Sequence, residues 1–141
     1  MNIFITGGAG FLGQRVVRHA IALGHTVTGL ARDDESEKIL QSMGAKSVRG
    51  TLDAISVWGG VLRGHDVVVH CAAPVVFWGP WDLFYRDITL ATQELLAYAD
   101  QMGCRRFVHI STESVVHGVQ PVVDIDETYE CIQPNAYYGR A

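Results

Sequence analysis

One short stretch constrains this chain more than any other. Thr6-Gly7-Gly8-Ala9-Gly10-Phe11-Leu12-Gly13 follows the apolar run Asn2–Thr6 and leads into Phe11–Leu23, where Phe11, Leu12, Val16, Val17, Ala20 and Leu23 recur at helical spacing. A strand that turns through glycines directly into a helix is the opening of a βαβ unit. Gly7 permits the tight turn out of the strand, and Gly10 lets the backbone approach a bulky anion because no Cβ stands in the way. Gly13 lets the helix lie close on the sheet. The helix start then offers unpaired N–H groups, at Phe11, Leu12 and Gly13, to phosphates.

The same alternation continues along the chain. The spacing predicts a strand over Thr26–Ala31, a helix over Asp34–Met43 and a strand over Lys46–Arg49. A short helix over Ile55–Leu62 and an apolar strand over Val67–Ala72 follow. A long helix over Trp81–Met102 and a strand over Arg106–Ser111 come next, and the rest reads as loop until Tyr137. Helices are expected to close at Gly24, Gly44, Gly64 and Gly103. Strand and helix at this cadence give right-handed crossovers, a parallel sheet and an α/β doubly wound, Rossmann-type fold. The expectation is one dinucleotide-binding domain over residues 1–141, truncated after the fifth strand. A sixth strand and a C-terminal substrate lobe would lie beyond it.

Composition narrows the function. With 141 residues, 48% apolar and 18% charged, the chain suits one globular core. A net charge of −4, with 11 scattered Lys and Arg, argues against nucleic-acid and membrane-surface roles. Cys71, Cys104 and Cys131 lack metal-ligand or disulfide spacing, so no metal site is expected and reduced thiols in a cytoplasm are. No signal peptide or membrane span is read from the chain.

The Thr-Gly-x-x-Gly-x-x-Gly spacing, in this order of elements, resembles the extended short-chain dehydrogenase/reductase family. That family includes nucleotide-sugar epimerases and dehydratases, 3β-hydroxysteroid dehydrogenases and dihydroflavonol reductases. The resemblance spans essentially the whole chain and implies a nicotinamide dinucleotide and a small-molecule substrate. Where NAD-binding members carry Asp at the end of the second strand, this chain has Ala31 followed by Arg32. A guanidinium there can pair with a 2′-phosphate, so NADP is favoured. NAD is the alternative, with Asp33 or Asp34 curling back to the ribose.

Further matches are carried residue by residue. Gly50-Thr51-Leu52 stands where the family shows Gly-Asp-Leu, which leaves Thr51 and Leu52 beside the adenine with a weakened contact. His70-Cys71-Ala72-Ala73-Pro74 resembles the family's His-x-Ala-Ala motif, placing Ala72, Ala73 and Pro74 against the cofactor. His70 itself reads as a packed core histidine. The segment Phe107–Val116 resembles the fifth-strand motif that orients a substrate oxygen, which assigns that role to Thr112 and, failing it, to Ser111, also near the cofactor. Tyr137-Tyr138-Gly139-Arg140-Ala141 resembles the catalytic Tyr-x-x-x-Lys segment. Tyr138 is then the catalytic tyrosine, also touching the cofactor, and its Lys would follow Ala141. A register on Tyr137 puts Ala141 at the Lys position, which cannot serve. The ammonium matters because a phenol of ordinary pKa ~10 needs a neighbouring cation to transfer protons near neutrality. As it stands, the chain is expected to be inactive.

Two departures bear on chemistry. Ile88 occupies the position of a family Asn in the long helix, so a polar relay that Asn supports is missing or rebuilt. The aromatic group Phe77, Trp78, Trp81, Phe84 and Tyr85 suits the 3β-hydroxysteroid dehydrogenase-like branch and could roof an apolar substrate. Three functions follow as alternatives: a ketone reductase or alcohol dehydrogenase, a nucleotide-sugar epimerase or dehydratase, and a binding fragment without turnover. An uncovered sheet edge would make the isolated chain marginal or a homodimer.

Overall fold

The computed structural model describes residues 1–74, 76, 78–116, 123–129, 134 and 136–141. Among them, strands β1 (Asn2–Thr6), β2 (Thr26–Ala31), β3 (Lys46–Arg49), β4 (Val67–His70) and β5 (Arg106–His109) form one sheet in the order β3-β2-β1-β4-β5. Every pairing is parallel. Helices α1 (Phe11–Ala22), α2 (Asp34–Ser42), α3 (Ile55–Trp58), α4 (Trp81–Phe84), α5 (Ala91–Gln101) and α6 (Tyr137–Arg140) complete it. The order of strands reverses between β1 and β4, and doubly wound sheets bind ligands above that crevice.

The alternation of side chains along each strand builds a core on each face. Ile3 and Ile5 of β1 meet Val17 and Ala20 of α1 and Leu40 of α2 on one side. Phe4 and Val68 meet Ile55, Trp58, Leu62 and Leu95 on the other. Trp58 stacks on Phe4 with ring centroids 5.5 Å apart and donates its indole N–H to the Thr51 carbonyl at 2.8 Å. Gly29 is where α2 approaches β2 most closely: a Cβ there would sit 2.5 Å from Leu40.

The predicted helix over Ile55–Leu62 is α3 followed by a 3₁₀ turn over Gly59–Leu62. The strands stop sooner than the apolar runs suggested, β4 at His70 rather than Ala72 and β5 at His109 rather than Ser111. The ladder pairs His70 with His109 and ends there. Beyond it, Cys71 and Ile110 still donate to Thr6 O and His70 O at 3.2 and 3.0 Å, and Ala72 and Ser111 run on into loops that line one cleft. The predicted long helix is continuous in path, but Tyr85–Leu90 winds as π-helix between α4 and α5. Such turns recur at functional sites because they rotate the following side chains to a new face. Its first and last turns hold, ending at Gly103 with φ +82°.

Helices cover the sheet unevenly. On the α1 side, Val67 and Val69 of β4 are only partly buried, and Val108 and Ile110 at the end of β5 are 37% and 38% exposed. A shallow apolar groove of about 420 Å³ runs beside α1, lined by Ile3, Val16, Ala20 and Leu23.

Candidate active site

The glycine turn is tight and closely packed. Gly7 has φ +68°, and a Cβ there would lie 2.7 Å from the Ala72 nitrogen. The loop after β4 therefore rests directly on the turn. A side chain at Gly13 would run into the Gly7 carbonyl, and one at Gly10 would come within 3.2 Å of it. Gly10 N–H closes the turn by donating to Gly7 O at 2.9 Å, and Gln14 Nε2 braces it through Ala9 O at 2.9 Å.

The two N-terminal helices differ in how their first N–H groups are met. Helix α2 is capped by Asp33, whose carboxylate accepts from Ser36 N at 2.8 Å while Ser36 Oγ accepts from Asp33 N. The Ser36 hydroxyl, which donates to Asp33 Oδ1 at 2.6 Å, and then the Ser36 N–H hold the Asp33 carboxyl below its ordinary range. Helix α1 begins at Gly10 with no capping side chain and no acidic residue in its first turn. An uncapped, positive helix end beside glycines fits a pyrophosphate. Phe11, 81% exposed, and Leu12, 42% exposed, stand open at that end.

Arg32 follows β2 with its side chain 81% exposed and its Nε 3.2 Å from Asp33. Asp33 caps α2 as well as facing Arg32, and the exposed Asp34 pairs with Arg49 at 2.7 Å. At the end of β3, the Thr51 hydroxyl is turned to Asp53 and holds that carboxyl below its ordinary range. Leu52 is partly buried beside Trp58 and Leu95 in the second core, so the Gly-Thr-Leu segment packs as well as facing the crevice.

The catalytic candidates meet in one cleft of about 120 Å³, lined by Ala72, Ala73, Ile88, Thr92, His109, Ser111, Thr112 and Tyr138. Pro74, partly buried, follows Ala73 in the chain. Thr112 also opens a 3₁₀ turn, Glu113–Val115, by accepting from Ser114 N at 3.3 Å. Helix α6 lies against that turn because Gly139 has no side chain: a Cβ would fall 2.5 Å from Ser114 O. This packing brings Tyr138 to the cleft, while Tyr137 packs edge-on against Trp81 and Phe84 at 5.6 and 6.2 Å. Trp81 stacks on Tyr85 at 5.6 Å, and Trp78 is 92% exposed rather than packed on the sheet. Phe77 and Cys131 lie outside the described residues.

Two features escape the sequence reading. His70 is a core histidine as read, but it is hydrogen-bonded at both nitrogens: Nδ1 to Thr6 Oγ1 at 2.6 Å and Nε2 to Thr92 Oγ1 at 3.1 Å. The signal was available, since parallel pairing sets Thr6 beside His70. Burial, and then the neighbouring His109, push the His70 pKa down to about 4. In the π segment, Ile88 leaves its wall apolar, and the next residue, Thr89, donates to Ala141 O at 2.7 Å. A hydroxyl one residue on thus ties this helix to α6. Among the described residues, no group of three or more His, Cys, Asp or Glu could hold a metal ion, and no helix is long and apolar enough to cross a membrane.

Comparison with known proteins agrees with this architecture. The model of the NAD-dependent epimerase/dehydratase family matches residues 3–141. The chain is 33% identical over 129 residues to the 4-hydroxy-2-methyl-3-oxo-4-farnesyl-3,4-dihydroquinoline-1-oxide ketoreductase of Stigmatella aurantiaca, covering 92% of this chain and 39% of that one. It is 34% identical over 156 residues to the dTDP-glucose 4,6-dehydratase of Streptomyces niveus, covering 100% of this chain and 46% of that one. A short-chain dehydrogenase/reductase superfamily protein from Agrobacterium tumefaciens, solved with bound NAD, superposes with a TM-score of 0.82 at 28% identity, over 99% of this chain and 41% of the other. The chain thus spans less than half the length of these relatives.

Proposed function

The chain belongs to the NAD-dependent epimerase/dehydratase family, and from that premise we propose that it forms the cofactor-binding part of an NADP-dependent reductase acting on a ketone or secondary alcohol of a small apolar substrate. The observation that carries this reading is the single cleft that gathers Ser111, Thr112 and Tyr138 beside Ala72 and Ala73. Gly7, Gly10 and Gly13, with the open N–H groups of α1, would hold the pyrophosphate. Arg32 would hold the 2′-phosphate, and Ala72, Ala73 and Pro74 would back the nicotinamide half. A bound nicotinamide supplies or accepts the hydride.

The residues of the cleft do the rest. Thr112, or Ser111 beside it, donates a hydrogen bond that orients the substrate oxygen. The Tyr138 phenol gives that oxygen a proton as the carbonyl is reduced and takes it back in the reverse direction. Ile88 in the cleft, and the aromatic group of Trp81, Phe84, Tyr85 and Tyr137 packed around α6, suit an apolar substrate better than a sugar diphosphate. The Stigmatella aurantiaca relative, a ketoreductase of a farnesylated ring, points the same way.

The test is calorimetric binding of NADPH and NADH, with Arg32→Ala as control, in the whole protein that carries residues 1–141. Tighter NADPH binding, reduced about tenfold or more in the variant, is the expected result, since a charge-assisted bond to a phosphate is worth ~1.5–3 kcal/mol. Equal affinity for both cofactors, unchanged by the substitution, removes Arg32 from that role. Loss of NADPH absorbance on ketone substrates supports a reductase. Turnover of a nucleotide sugar with no net absorbance change supports the epimerase alternative.

A further inference from the structure

The cleft holds a hydroxyl to which the mechanism above gives no role. Thr92 lines it from α5, together with Ser111, Thr112, Ala72 and Tyr138. Threonine in a helix commonly turns its hydroxyl to a carbonyl one turn back. Here its described partner is the His70 imidazole instead.

Proton counting fixes the direction of the bonds. Thr6 is fully buried, and its Oγ1 accepts the Ala72 N–H at 3.4 Å and lies 2.6 Å from His70 Nδ1. Were Nδ1 the donor, the Thr6 hydroxyl hydrogen would have no acceptor among the described residues, and a buried unmade bond is costly. Thr6 therefore donates to Nδ1. The ring stays neutral, because burial and the adjacent His109 oppose its protonation. A neutral imidazole accepting at Nδ1 carries its hydrogen on Nε2, which donates to Thr92 Oγ1. The Thr92 hydroxyl hydrogen is then left to point away from the ring, toward the cleft its side chain lines.

We propose that Thr92 is a binding residue for the nicotinamide half of a dinucleotide, donating to an oxygen acceptor there, and that His70 is the positioning residue that aims it. The chain of bonds starts at the Ala72 N–H, which rests on Gly7, so the glycine turn and this donor are set by one network, buried at its Thr6–His70 link. The proposal rests on the dinucleotide reading above. It assigns Thr92 to the reacting half because Thr92 shares its cleft with Thr112 and Tyr138, whereas Arg32 follows β2, on the other side of β1 from β4.

The test uses Thr92→Val and Thr92→Ser in the whole protein, with calorimetric binding of NADPH and NADH and of their adenosine halves, 2′,5′-ADP and ADP. Valine is expected to weaken the preferred dinucleotide roughly fivefold, the size of one lost neutral hydrogen bond, with the matching adenosine half unaffected. Serine is expected to restore wild-type affinity. Unchanged dinucleotide binding in Thr92→Val overturns the proposal, as does equal weakening of both ligands, which would mark a structural role. Wild type binding neither dinucleotide refutes the cofactor reading itself, and this proposal with it. Nitrogen-15 NMR of the histidine rings tests the network without any ligand: His70 is expected neutral with its hydrogen on Nε2. Hydrogen on Nδ1 overturns the aiming role.

Discussion

His70 shows how much one side chain can link. Its ring joins the ends of β1 and β4 to α5 through Thr6 and Thr92, and all its polar atoms are paired. Its depressed pKa, about 4 against an ordinary 6.5, has a thermodynamic sign. Between those values the unfolded chain binds a proton that the folded one refuses, so stability is full above pH 6.5 and falls as pH drops toward 4. The span is worth up to about 3 kcal/mol. Urea unfolding of the wild type is expected to lose that much more across this window than His70→Gln, which keeps an amide but cannot titrate. Parallel pH curves for the two proteins would remove His70 as the cause. The identity of the residue was plain in the sequence, where the His-x-Ala-Ala resemblance singled it out. Its partners were not, because Thr6 and Thr92 reach it only through strand pairing and helix packing.

At the level of elements, α6 and the turn that receives it decide whether the cleft exists. Four residues of helix have little stability alone. Helix α6 holds its place by contact with the Glu113–Val115 turn, by Tyr137 against Trp81 and Phe84, and by the Thr89 bond to Ala141. Gly139→Ala puts a methyl into Ser114 O and is expected to push Tyr138 out of the cleft. In the whole protein its turnover should fall at least tenfold while affinity for the adenosine half of the cofactor is kept, since misplacing a catalytic group by about 1 Å can cost ~100-fold. Full activity in this variant would show that α6 has room to adjust. The π segment is the element that pattern reading could not supply. Helical periodicity gave the right length for residues 81–102, but hydrophobic spacing alone does not register a local change to a wider turn over Tyr85–Leu90. That change sets which of Ile88, Thr89 and Thr92 face the cleft.

Among the described residues, the sheet has one closed face and one partly open. On the α3 and α5 side the core is closed, with Phe4, Leu62, Val68 and Leu95 fully buried. On the other side Val108 and Ile110 meet solvent beside Val67 and Val69. Apolar surface on this scale invites association. We expect residues 1–141 taken alone to self-associate through that face, with sedimentation that depends on concentration and with Val108→Lys restoring a monomer. A monomer at all concentrations that melts cooperatively would contradict it. The sequence by itself determined the order of the elements, the glycine turn and the residues at the strand ends, because these follow from local periodicity and from conformations that few residue types can adopt. The tertiary structure alone decided that Ser111, Thr112 and Tyr138 share a cleft with Thr92 and that Asp34 pairs with Arg49. Those outcomes depend on parallel pairing and helix packing between residues far apart in the chain, where no local rule applies.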